Sequence, residues 1–349
     1  MATVSNDAAD FRLSVLNPDG RDLEQYFDDG ATVSSRAHPP INFHAFAACT
    51  RGAFHRDVKN AIAERTPVLL LLRGDFKASQ RALIECKKQQ RIVVVSLKET
   101  GLHQIAQQLS HPARLSKFLQ IVGQADGCIA TTPEAADIYR QARAKRDPAT
   151  VAFIPTPCPL EDRQWDLSIQ PDKQSGIFIG TREWNVPSRN HLAALLVARQ
   201  LSDATGESVT VFNLAGRKGR RLLSELKFPT GKLRVLETQL PYTDYLREVA
   251  KHKIVLQLDR SRVPGQVAGD ALLCRTICVG GDGAIERIAF PQTCGASRTI
   301  DEISAIAKEL LTNTNARGTV FVESQWLSME RLSFQAVRGQ LAKFFAQFL

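Results

Sequence analysis

The stretch IFIGTREWNVPSRNH, residues 177–191, reads as a strand, a loop and the start of a helix. Ile177, Phe178 and Ile179 form an apolar run of the kind that fills a covered strand, and Gly180 ends it. Ser188 is a residue type that caps helices. Arg182 and Arg189 flank the loop between them. Two readings stand for that pair. One is an anion held by two guanidinium groups at a helix N-terminus. The other is two solvated arginines.

Outward from this unit the same rhythm recurs. FRLSVL (11–16) predicts a first strand, closed by the turn chemistry of NPDGRD. VLLLLR (68–73) and RIVVVSL (91–97) are nearly continuous apolar runs, as expected of strands covered on both faces. Helical spacing is predicted over 76–88, 104–109, 111–123 and 133–145, with short strands at 127–131 and 150–155. Beyond residue 172 the pattern predicts strands at 176–180, 208–216, 233–237, 253–259 and 276–281. Helices are expected at 188–204, 220–227, 242–251, 266–275 and 300–312, and a last amphipathic segment at 326–349. Strands alternating with helices predict an α/β chain of parallel sheets built from βαβ units.

PTPCPLED (155–162) carries three prolines in five residues, which suits neither a helix nor a central strand. It divides the expected organisation. Residues 1–156 form an N-terminal Rossmann-like domain, 157–172 a linker, and 173–331 a C-terminal Rossmann-like domain. Residues 332–349 are a helix returning to pack on the first domain. Two such domains face a cleft, and ligands of open parallel sheets sit at the carboxyl ends of the strands.

Length and composition fit this plan. A chain of 349 residues with 44% hydrophobic and 23% charged content is expected to be a globular protein with two cores. No apolar run is long enough to span a bilayer, and the first fifteen residues lack the pattern of a signal peptide, so a cytoplasmic location is expected. Seven cysteines without a CxxC pair predict buried, reduced thiols rather than a zinc site. The net charge of +9 is spread over both halves and fits anionic ligands, an anionic membrane surface or, more weakly, nucleic acid.

The ordered elements from residue 124 to 312 resemble a glycosyltransferase of the B fold, close in pattern to glycosyltransferase family 4. The resemblance rests on QADGCIATTPEAADIY (124–139), FIPTPCPL (153–160) and FIGTREWNVPSRNHLAAL (178–195). It continues through VFNLAG (211–216), LETQLPYTDYLREVAKHKIVLQLDRS (236–261) and PGQVAGDALLCRTICVGGDGAIE (264–286). The first 120 residues match in architecture alone. The resemblance implies a metal-independent, retaining transfer from a nucleotide-diphosphate sugar, which is substrate, with no cofactor. It implies that Arg182 and Arg189 hold the donor diphosphate. It also implies that Gly265, Gln266, Val267 and Asp270 bind the donor ribose and sugar. The acceptor is expected on the first domain and is unidentified: a glycan, a lipid-linked saccharide or another group, with an anionic one favoured by the charge.

Two departures qualify that picture. The family's E-x7-E pattern would place a glutamate eight residues before Asp270, and Arg262 stands there. The family also places a histidine after a strand of the first domain. Here Glu99 and His103 follow RIVVVSL and are the catalytic candidates by position. Rival readings are a non-catalytic nucleotide-sugar or glycan binder of the same fold and a nucleic-acid-modifying transferase. His38 and His44 lie six residues apart without a third ligand, so no metal is expected. GRKGRR (216–221) reads first as a solvated surface and GGDG (280–283) first as a turn.

Overall fold

The structure, a computed structural model, describes residues 10–34, 37–99, 101–144, 146–181 and 184–348. It divides into two compact units, Met1–Glu161 with Arg331–Leu349, and Asp162–Glu330.

The first unit is built on a seven-stranded sheet. Its strands are β1 (Ser14–Leu16), β2 (Gln25–Tyr26), β3 (Ala53–His55), β4 (Val68–Leu72), β5 (Val93–Leu97), β6 (Gly127–Ala130) and β7 (Val151–Phe153). Their spatial order is β2-β3-β1-β4-β5-β6-β7. All neighbours pair in parallel except β2 with β3. Every residue of β4 and β5 is buried, which is why those runs carry no alternation. Helix starts follow local chemistry. Thr132 Oγ1 accepts from the Ala135 amide, and Pro133 takes the next position, where no amide partner is needed.

The second unit carries β8 (Ile177–Ile179), β9 (Val209–Phe212), β10 (Leu233–Leu236), β11 (Ile254–Leu256) and β12 (Ile277–Val279). They are ordered β10-β9-β8-β11-β12, and every pair is parallel. The chain steps outward from β8 to β10, then returns to the other side of β8 with β11. The junction of β8 and β11 is therefore the topological switch point, where the carboxyl ends of the strands open a crevice.

Several elements depart from the sequence expectation. The first strand is confined to Ser14–Leu16. Helix Asn42–Cys49 and strand β3 lie in a stretch for which no element was expected. The segment at 326–349 is not one amphipathic helix. Helix Thr314–Arg331 ends at Leu332, and helix Phe334–Ala346 begins behind the Ser333 cap. That last helix belongs to the first unit, where it packs on helix Asn42–Cys49 and sets Phe345 5.4 Å from the Phe11 ring. The proline-rich stretch is packed against its surroundings. Cys158 is buried, and its amide donates to Leu332 O. Trp165 is buried beside Tyr242.

Candidate functional site

The switch point of the second sheet gathers a cluster of buried polar side chains, among them Thr181, His191, Gln257, Asp259, Asp270 and Glu286. Gly180 follows β8, and a Cβ there would stand 2.5 Å from Val267 Cγ1. Only glycine lets the strand end come this close to helix Gln266–Leu273. Thr181 follows, and its hydroxyl shares a 2.9 Å hydrogen bond with His191 Nδ1. His191 begins helix His191–Thr205 and is buried, with the Trp184 ring 4.4 Å away. Burial pushes its pKa down to about 4, so the imidazole is neutral near pH 7. Its Nε2 has no hydrogen-bond partner among the described residues.

Arg182 lies outside the described residues. Arg189 is the last residue of a single 3-10 turn, Pro187–Arg189, and its guanidinium is ion-paired with Asp259, which follows β11. Asp259 is buried and Arg189 largely so. Ser188 is not the helix cap expected of it. Asn190, in the left-handed region, precedes the helix instead. The Ser188 hydroxyl accepts from Ser261 Oγ at 2.8 Å, tying this loop to the one after β11.

The glycine loop stands on the other side of the crevice. Gly265 has φ +96°, a conformation that L side chains rarely adopt. Below it lies Glu286, which is buried and accepts from Gln257 Nε2 at 2.5 Å. A Cβ on Gly265, Gly281 or Gly283 would run into the Glu286 carboxyl. Burial first, then the nearby Asp259 and Asp282, push Glu286 up to about 8, so near pH 7 it is mostly a neutral acid. Gln266 and Asp270 meet one helical turn apart, with Gln266 Nε2 donating to Asp270 Oδ1 at 2.7 Å. Tyr242 Oη donates to the same oxygen at 2.6 Å. Asp270 is buried beneath these groups. Arg262 has φ +50°, and its amide donates to Asp282 Oδ1 at 3.0 Å.

The structure thus assembles Arg189, Gly265, Gln266, Val267 and Asp270 in one unit. Sequence reasoning missed Thr181, His191, Gln257, Asp259 and Glu286. For Asp259 a signal existed: it is an acid directly after an apolar strand, where ligands of parallel sheets lie. For Glu286 the signal was the glycine cluster before it, read as a turn.

Glu99 and His103 belong to the first unit and are both exposed. Glu99 Oε2 accepts from Gln104 at 3.4 Å. A tighter cluster sits beside them, at the carboxyl ends of β1 and β5. Asp22 Oδ2 accepts from Lys98 Nζ at 2.6 Å and from Asn17 Nδ2 at 2.7 Å. Burial raises the Asp22 pKa, but the Lys98 bond and charge, with His44 and Asn17, outweigh it and hold the carboxyl below its usual range. His44 is stacked between His38 and Phe54, at 3.6 and 3.7 Å. Burial and then His38 push its pKa down to about 4. Among the described residues no group of three His, Cys, Asp or Glu side chains is placed to hold a metal. No helix among them is long and apolar enough to cross a membrane.

Two parallel α/β units with these strand orders define the B-type architecture of the glycosyltransferase folds. Solved structures share it. Anabaena HepE, in complex with UDP, is 11% identical, with a TM-score of 0.64 over 97% of this chain and 100% of that one. An E. coli trehalose-6-phosphate structure bound with UDP-2-fluoro glucose is 11% identical, with a TM-score of 0.61 over 81% and 74% of the two chains. A candidate UDP-N-acetylglucosamine 2-epimerase from Listeria monocytogenes is 14% identical, with a TM-score of 0.53 over 86% and 80%. At such identities the likeness is one of fold. No protein-family model and no curated protein matches the sequence.

Proposed function

We propose that the protein binds a nucleoside-diphosphate sugar at the switch point of the second unit and transfers the sugar to an acceptor, in the manner of glycosyltransferase family 4. The observation that carries this reading is the pairing of Arg189 with Asp259 across the β8–β11 crevice, beside the left-handed Gly265. In this reading the diphosphate takes up guanidinium donors of Arg189 and the backbone amides of the Gly265 loop. These groups stabilise the departing nucleoside diphosphate without a metal. Arg182 shares that role. Asp270 and Gln266 bind the ribose once Tyr242 yields its hydrogen bond. Neutral His191 and mostly protonated Glu286 add no charge of their own near pH 7, so an incoming diphosphate competes chiefly with Asp259 for Arg189.

Acceptor activation falls to the first unit. Lys98 and Asp22, held by a short hydrogen bond, are better ordered for it than the exposed Glu99 and His103. An anionic acceptor or membrane headgroup would meet Lys98 there. Cytoplasmic chemistry is part of the same proposal.

A second reading has its own observation. Arg262 stands where the resemblance implies a glutamate facing the donor sugar, and its amide donates to Asp282 Oδ1. That favours a binder that holds a nucleotide sugar without transferring it. Calorimetry with UDP-, GDP- and ADP-sugars tests both. The transferase reading predicts binding and slow release of free nucleotide diphosphate. Binding without turnover over hours supports the non-catalytic reading, and no binding to any of them removes both.

A further inference from the structure

At the opposite edge of the second sheet lies a cavity of about 560 Å³, within the range of small-ligand pockets. Its walls come from the amino ends of the strands. Gln174 precedes β8, Lys253 immediately precedes β11, and Ile277 opens β12. Ile169 and Pro171 close one side, and Arg317, Gly318 and Phe321 of helix Thr314–Arg331 the other. The nucleotide crevice proposed above lies at the carboxyl ends of the same strands, so the two sites are separate.

The cations around this cavity are not equivalent. Lys253 is paired with Glu207 at 2.5 Å, and Arg275 with Asp166 at 2.8 Å. Arg317 is 9% exposed and forms no ion pair among the described residues. Its Nη1 donates to Leu310 O at 3.1 Å, which uses one of five donors. A guanidinium held largely out of water without a counter-charge favours an anionic partner. A carbonyl at the end of helix Ile300–Thr312 supplies only part of that negative charge. The remaining walls are mainly apolar, and the apolar surface runs on along the helix past Val322 to Trp326.

We propose that this cavity binds an amphiphilic anion, with a phosphate or carboxylate head on Arg317 and an apolar body along Ile169, Ile277 and Phe321. The ligand supplies the counter-charge that the fold omits and covers the apolar wall. Gly318 provides the test, because a Cβ there meets nothing within 4 Å. Gly318→Leu therefore fills the cavity without a backbone clash and removes a glycine from a helix interior.

The experiment is calorimetric titration of the full chain with decyl phosphate, decanoate, neutral decyl maltoside and inorganic phosphate. Decyl phosphate or decanoate is expected to bind, and comparison of the two identifies the preferred head group. The maltoside and inorganic phosphate are expected to bind far more weakly. Arg317→Met should weaken binding about tenfold or more, as loss of a charge-assisted bond does. Gly318→Leu should abolish it while leaving the melting temperature equal or higher. The proposal is overturned if neither anionic amphiphile binds at millimolar concentration, if the maltoside binds as tightly, or if both variants bind as the parent does. Should Arg317→Met fail to fold, Gly318→Leu alone decides.

Discussion

The carboxyl of Glu286 fills the space that a side chain on Gly265 would need, so the glycine loop and the helix Ala284–Ala289 are fitted to each other. Gly265→Ala must both adopt φ +96° and displace that carboxyl. We expect it to cost about 2–4 kcal/mol, combining backbone strain with overpacking, measured by urea unfolding. Adding Glu286→Ala should recover the overpacking part and leave the strain. Simple additivity of the two changes would show that the residues are not in contact.

Glu286 also sets a pH dependence. Its folded pKa of about 8 lies above the usual carboxyl value, so the folded state holds a proton that the unfolded state gives up. Its contribution is full below about 4.5 and is lost as pH rises towards 8. Glu286→Gln keeps the shape without the ionisation. Denaturation midpoints followed from about pH 5 to about pH 8 should decline in the parent and flatten in the variant.

The acid side follows from His191 and His44, both pushed down to about 4 by burial. Each is neutral in the folded state and charged in the unfolded state below about 6.5, so stability is lost as pH falls from 6.5 towards 4. Trp184, 4.4 Å from His191, gives a local readout. Its emission should change as His191 protonates, and Thr181→Val should alter that profile by removing the Nδ1 partner.

Arg189 and Asp259 form a largely buried pair, so removing either takes away the other's ion-pair partner in a site shielded from water. Asp259→Asn and Arg189→Ala are each expected to cost about 1–3 kcal/mol, somewhat below a fully buried pair. The double variant should cost less than the sum. Nucleotide affinity separates the roles: Arg189→Ala should lose about tenfold or more through its missing charge-assisted bonds.

The rhythm of strands and helices was legible because β4 and β8 are apolar throughout and β5 is so but for Ser96. β3 was not, since Ala53-Phe54-His55 is short and carries a histidine that only its neighbours bury. Ser188 had the right chemistry for a cap, but Pro187 placed it in a 3-10 turn and Asn190 took the helix boundary. Arg189 was legible as a cation near a ligand edge. Its partner Asp259 was not, because that contact spans seventy residues and depends on β8 and β11 being neighbours. Burial, which makes His191 and Glu286 neutral near pH 7, cannot be read from residue type.

The central claim is that a nucleotide diphosphate sits at the β8–β11 switch point. Crystals soaked with the tightest-binding nucleotide sugar test it directly. The account predicts diphosphate oxygens within hydrogen-bond distance of the Arg189 guanidinium and of backbone amides around Gly265. A nucleotide bound elsewhere in the chain, with the Arg189–Asp259 pair untouched, would contradict it.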